Sequence, residues 1–267
     1  MKRLTITLLS LALATSLSAC GQQPKDPGPD YADDEAMEII SDAFEARQDV
    51  ISEVKAASET DASVDTHSMK NLESYVTTEL EIAEKLRTRV FEDSEMQELV
   101  LKYLNTLDDA LELLDNHPVT SADFFDKWNA LADTRGILLK TFVDDYGLVV
   151  EEEYQDEFDE VIANGRAAAK KSQIEEAIQG LLDTIMFEKT TEYSITTYSA
   201  VVENTIGVDL GNCSFDVSLY DSDGVKLEDD FIYTSSWAAG EKVRFEFISE
   251  IDTDQIKLAI DYYEVSE

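Results

Sequence analysis

The chain is poor in the residues from which most enzymatic signatures are built. Ten glycines, four prolines and two histidines in 267 residues leave little material for a phosphate-cradling loop or a dinucleotide fingerprint, and no Gly-x-Ser-x-Gly elbow occurs. His67 and His117 stand fifty residues apart, and neither has a Cys or His at ligand spacing, so a zinc site is not expected. Positive charge is equally scarce: 21 Lys and Arg face 58 Asp and Glu, for a net charge of −37. Such a polyanion is repelled by nucleic acid, which is excluded as an expected partner. No cofactor is implied by any motif.

What is present is enough apolar material for packed cores. Hydrophobic residues make up 43% of the chain, with 11 Phe and 11 Tyr, so the charge does not signal disorder. The acids spread over the whole length instead of forming one block, which reads as a solvated surface; recruitment of cations or basic partners is the functional alternative. Runs such as Glu151-Glu152-Glu153 and Asp156-Glu157-Asp159-Glu160 fit the wet side of a helix. General acid/base chemistry needs one carboxyl in an apolar setting beside another in a polar one, and no pair is singled out for that.

The N-terminus carries an address. Lys2 and Arg3 precede an apolar stretch from Leu4 to Leu17, and small residues lead to Cys20. This is the layout of a secretory signal, and its apolar run is short for a membrane span. The segment Leu17-Ser18-Ala19-Cys20 resembles the lipobox of bacterial lipoproteins. The resemblance implies cleavage before Cys20, acylation of its thiol, and a mature chain held by lipid at the extracytoplasmic face of a cell membrane. Residues 20–30, with three of the four prolines, then form a stiff polar tether.

From Tyr31 to about Lys189 apolar residues recur at three and four, predicting helices. Met37, Ile40, Phe44, Ile51 and Val54 line the first, and Met69, Leu72, Val76, Ala83, Leu86 and Val90 the second. Met96, Val100, Tyr103, Leu107, Leu111 and Leu114 line the third, and Phe124, Trp128, Leu131, Leu138 and Phe142 the fourth. Ser94 with Gln97 has capping-box spacing, Thr120 or Ser121 caps the fourth helix, and Gly147 stops it. A fifth segment, Glu151 to about Glu188, slips phase near Asn164-Gly165, and Ser172 with Glu175 repeats the capping-box spacing, so it is one bent helix or two. Short connections between such helices predict an antiparallel bundle over 31–189.

Near Lys189 the period changes to two. Residues 192 to 203, Phe215-Val217-Leu219, Phe231 with Tyr233, Val243-Phe245-Phe247 and Ile256-Leu258-Ile260-Tyr262 read as strands separated by turns, which predicts a small β-sandwich over 190–267. A fragment from about Thr190 onward is accordingly expected to fold alone. Cys213 shares parity with Phe215, Val217 and Leu219, so its unpaired thiol points into the core. Asp221-Ser222-Asp223-Gly224 reads as a hairpin turn with Gly224 at positive φ; Asp221 and Asp223 also echo the start of a calcium loop, although strands in place of helices flank it.

Residues from Glu192 to about Tyr263 resemble the FxLYD domain, an extracytoplasmic β-sandwich of bacterial lipoproteins and membrane-anchored proteins. The carriers are Val202 to Thr205, Val217-Ser218-Leu219-Tyr220-Asp221 running into Ser222-Asp223-Gly224, and Gly240-Glu241 ahead of Phe245 and Phe247. Val217 stands at the motif's eponymous Phe. The resemblance implies a fold and a compartment and carries no enzymatic role.

The expectation is a multidomain α and β protein: a signal peptide over 1–19, the tether, a helical bundle, then the β-sandwich. Its expected role is that of a non-enzymatic, lipid-anchored binding or scaffold module for an envelope protein or polymer. A solute- or cation-binding lipoprotein is the alternative, and an envelope-polymer hydrolase a more distant one. Candidate binding residues are Trp237, in a Ser-Ser-Trp-Ala-Ala-Gly loop expected to be exposed, with Asp221 and Asp223.

Overall fold

The computed structural model describes residues 29–266, so Cys20 and all but the end of the tether lie outside the described residues. The fold is α+β with the helices first: α1 (Asp33–Thr60), α2 (Met69–Ala83), α3 (Ser94–Asn116), α4 (Ala122–Tyr146) and α5 (Gln155–Leu182). They precede β1 (Glu188–Glu192), β2 (Ile195–Glu203), β3 (Leu210–Tyr220), β4 (Lys226–Thr234), β5 (Lys242–Ser249) and β6 (Gln255–Val265). The strands form two antiparallel three-stranded sheets, ordered β1-β2-β5 and β4-β3-β6. Among the described residues no helix is long and apolar enough to cross a membrane.

The helix ends follow local chemistry. Ser68 caps α2 through Asn71 N–H, and Ser121 caps α4 through Phe124 N–H at 3.1 Å. Gly147, at φ 71°, ends α4 in the left-handed region that a side chain would make costly. At α3 the cap is Asp93, whose carboxylate accepts from Glu95 and Met96 N–H, so the helix begins one residue earlier than the Ser94 reading requires. Asp offers two acceptor lobes where Ser offers one hydroxyl, and it takes the position. Helix α2 ends at Ala83 and passes into a 3-10 turn, leaving Val90 exposed and off the helical stripe.

Helix α5 is continuous through Asn164 and Gly165, and Ser172 lies inside it, where its spacing with Glu175 caps nothing. The change of phase has another cause. Phe158 and Ile162 pack in the helical core beside Phe44 and Phe142, whereas Ile174, Ile178 and Leu182 pack against the sheets. One helix serves two cores, and the apolar face rotates between them.

The second core draws inward residues from both sheets. Tyr198, Phe245 and Phe247 come from one, and Cys213, Phe215, Val217 and Leu219 from the other. Burial pushes the Cys213 thiol up to about 11, which keeps it protonated and unreactive at neutral pH. Two details depart from the sequence pattern. Residues 188–203 are a hairpin, with Tyr193 and Ser194 both at positive φ in the turn. On β4 the inward residue is Ile232, so Phe231 and Tyr233 face out.

Because the second core reaches back into α5, a fragment starting at Thr190 lacks three of its members. Each contributes about 1.5–3 kcal/mol by burial, together comparable to the whole stability of a small domain. Circular dichroism with urea titration should find the fragment from Thr190 largely unfolded and one from Lys170 folded. Equal stability of the two would show that α5 is only laid against the sheets.

Candidate functional site

Three charged residues occupy positions where their helices should be apolar. Arg47 falls between Phe44 and Ile51 on α1, Glu79 between Val76 and Ala83 on α2, and Arg135 between Leu131 and Leu138 on α4. Each therefore points inward with its stripe. Glu79 is fully buried; Arg135 Nε donates to its two carboxylate oxygens at 2.8 and 3.0 Å, and Arg47 Nη1 donates at 2.6 Å. The Tyr103 hydroxyl on α3 donates to the same carboxylate, and the Arg135 guanidinium also lies 5.5 Å from the centre of the Phe44 ring. Four helices thus meet at one carboxylate.

Burial alone would push Glu79 up, but Arg135, Arg47 and the Tyr103 hydroxyl outweigh it and hold the carboxyl below its ordinary range. Burial and then the Glu79 charge push the Tyr103 phenol well above its usual value, so it remains a neutral donor. Burial and the neighbouring Arg135 pull Arg47 down despite Glu79. Two cations share one anion, and a cavity of about 60 Å³ adjoins them, lined by both arginines and also by Val76, Leu107, Trp128 and Leu131. A carboxylate locked as an ion by two arginines is a poor general acid, and it has no second carboxylate in the cluster to work with.

The residues singled out by sequence are dispersed. Trp237 is fully buried, contrary to the exposure expected of its loop; its indole N–H donates to Glu241 O at 3.0 Å and its ring packs on Phe215 and Phe245. The loop folds inward because Asn204, itself buried, donates to Trp237 O at 2.7 Å and to Val208 O at 2.9 Å. Asp221 closes the β3–β4 turn, its carboxylate accepting from Asp223 N and Val225 N at 2.9 Å, with Gly224 at φ 79°. Asp223 is exposed on that turn. Among the described residues no three His, Cys, Asp or Glu side chains converge as a metal ion would require.

A surface feature that the alternation pattern concealed lies on the outer face of β4-β3-β6. Phe231, Tyr233 and Tyr262 are 57%, 70% and 50% exposed. Tyr233 and Tyr262 flank Ser214 from the two neighbouring strands, and the Phe231 and Tyr233 rings are 6.1 Å apart. Exposed Asp216 and Asp261 stand beside them on the same face, Asp261 accepting from the Ser214 hydroxyl. No protein-family model matches the chain, and neither does any curated protein.

Proposed function

We propose that the protein is a non-enzymatic lipoprotein, anchored through Cys20 at the extracytoplasmic face of a cell membrane, that acts as a binding or scaffold module for an envelope protein. The helices are read as an antiparallel bundle that stands the chain off the membrane, and the two sheets as an FxLYD-like β-sandwich. The observation that carries the binding role is the exposed aromatic strip of Phe231, Tyr233 and Tyr262 with its acidic neighbours. Contiguous exposed aromatics on a soluble domain mark interaction sites, and tyrosine supplies contact area at small entropic cost. Asp216 and Asp261 select a partner with a basic rim, because like charges across an interface are repelled.

A photo-reactive phenylalanine analogue in place of Tyr233, compared with one in place of the fully exposed Tyr193, tests the surface. A discrete adduct with one envelope protein at 233, absent at 193 and lost on adding Phe231→Ser, supports the assignment. No adduct at 233, or the same adducts at both positions, ends it.

Anchoring has its own test. Cys20→Ala removes the only thiol that the lipobox reading acylates, so the chain should leave the membrane fraction or remain uncut. Unchanged processing and membrane association would dispose of the lipid anchor.

A further inference from the structure

The charge imbalance around Glu79 has a direction. The Tyr103 hydroxyl is neutral, so Arg47, Arg135 and Glu79 sum to one positive charge inside a chain that is strongly negative overall. Nη2 of Arg135 is buried and lies 2.7 Å from Glu79 Oε1, yet off the line of a hydrogen bond; among the described residues it has no hydrogen-bond partner. Arg47 spends only an Nη1 hydrogen on Glu79. A buried N–H without an acceptor is costly, more so on a charged group. Both arginines line the cavity.

Apart from Thr106, whose hydroxyl donates to Lys102 O at 2.8 Å, the rest of the lining is apolar, with Val76, Leu107, Trp128 and Leu131 among it and exposed Ala132 beside them. At about 60 Å³, the space exceeds the roughly 10–15 Å³ that one water occupies by the same measure, so it has room for a few waters or one short molecule. We propose that it binds a small organic monocarboxylate. The carboxylate pairs with the Arg47 and Arg135 guanidiniums that line the cavity, and a short alkyl tail lies against Trp128 and Leu107. A planar carboxylate matches the guanidinium fork. A single negative charge balances the cluster, a dianion overshoots it, and a cation is repelled. Chloride would balance the charge but leave the apolar wall uncovered. This site is independent of the aromatic strip and of the lipid anchor.

The test uses the full chain at constant ionic strength in chloride-free buffer, titrated with sodium butyrate and separately with sodium chloride. Calorimetry reads binding, and the two indole N–H resonances report where it occurs, since Trp128 lines the cavity and Trp237 is sealed in the other core. Butyrate should saturate at one site and shift the Trp128 resonance while leaving that of Trp237 in place. Arg135→Lys should weaken binding about tenfold or more, by losing the fork. Ala110→Met fills the cavity from α3 while leaving Arg47, Glu79, Tyr103 and Arg135 themselves unchanged, so it should abolish binding in a chain that still melts cooperatively. Absence of saturable binding to the unmodified chain overturns the proposal. So does butyrate binding unchanged in Ala110→Met, or chloride shifting Trp128 as effectively as butyrate.

Discussion

Glu79→Gln should cost about 3–5 kcal/mol, because it leaves the buried Arg135 and the partly buried Arg47 without a counter-charge while barely changing volume. Urea denaturation at neutral pH measures it. The same pair of curves followed into acid separates the charge from the shape. The folded-state pKa of Glu79 is depressed, so its contribution is complete above the unfolded carboxyl value, about 4.3, and is lost as pH falls through the lower folded value. The wild-type protein should therefore lose stability toward Glu79→Gln at low pH, and the two curves should converge. Adding Arg135→Met to Glu79→Gln should recover part of the loss, since the uncompensated charge is then halved. A cost under about 1 kcal/mol, typical of solvated pairs, would mean that water reaches the cluster and that it does not hold the four helices together.

The cluster was written into the sequence, though not where composition directs the eye. In a chain with 58 acids, one more glutamate carries no signal by itself. Its signal is positional: Leu72, Val76, Glu79, Ala83 and Leu86 share one helical face, and a charge in such a row must find a partner or be expelled. Arg47 and Arg135 interrupt their own rows in the same way. Reading the apolar members of each stripe and passing over the charged ones finds the helices and misses what joins them.

Other features were legible to different depths for equally local reasons. The helical period, the Ser121 cap, the Gly147 stop and the inward parity of Cys213 are all carried by residues within a few positions of one another. Trp237 was not legible as buried, because its partner Asn204 lies 33 residues away and its covering rings come from other strands. The strand around Phe231 was legible as a strand but not in its facing. Alternation fixes two faces but not which is inward, and in Phe231-Ile232-Tyr233 the single aliphatic residue takes the core while the aromatics face out.

The apparent break at Asn164-Gly165 is a place where α4 and α5 approach backbone to backbone, and Gly165→Ala should expose this as a large loss in an otherwise favourable substitution. In a free helix the change gains up to about 1 kcal/mol, as alanine is the better helix former. Here the new Cβ would lie 2.2 Å from the carbonyl oxygen of Gly136 and 2.4 Å from its carbon. Those are backbone atoms within α4, so no rotamer change relieves the contact; the helices must move apart. Overpacking of this kind costs about 1–3 kcal/mol, and Gly165→Leu should exceed Gly165→Ala. Gly136→Ala meets Gly165 at 3.1 Å and should cost less. Gly180 supplies the control on the same helix: its Cβ would meet nothing within 4 Å, so Gly180→Ala should be neutral or stabilising. Because α5 runs on from the crossing to carry Ile174, Ile178 and Leu182 into the second core, a shift at Gly165 should also loosen the sheets. Hydrogen exchange in β3 and β6 should then quicken in Gly165→Ala and stay unchanged in Gly180→Ala. Equal stabilities for these two variants would mean that α4 and α5 do not cross in backbone contact, and that the glycines mark a bend instead.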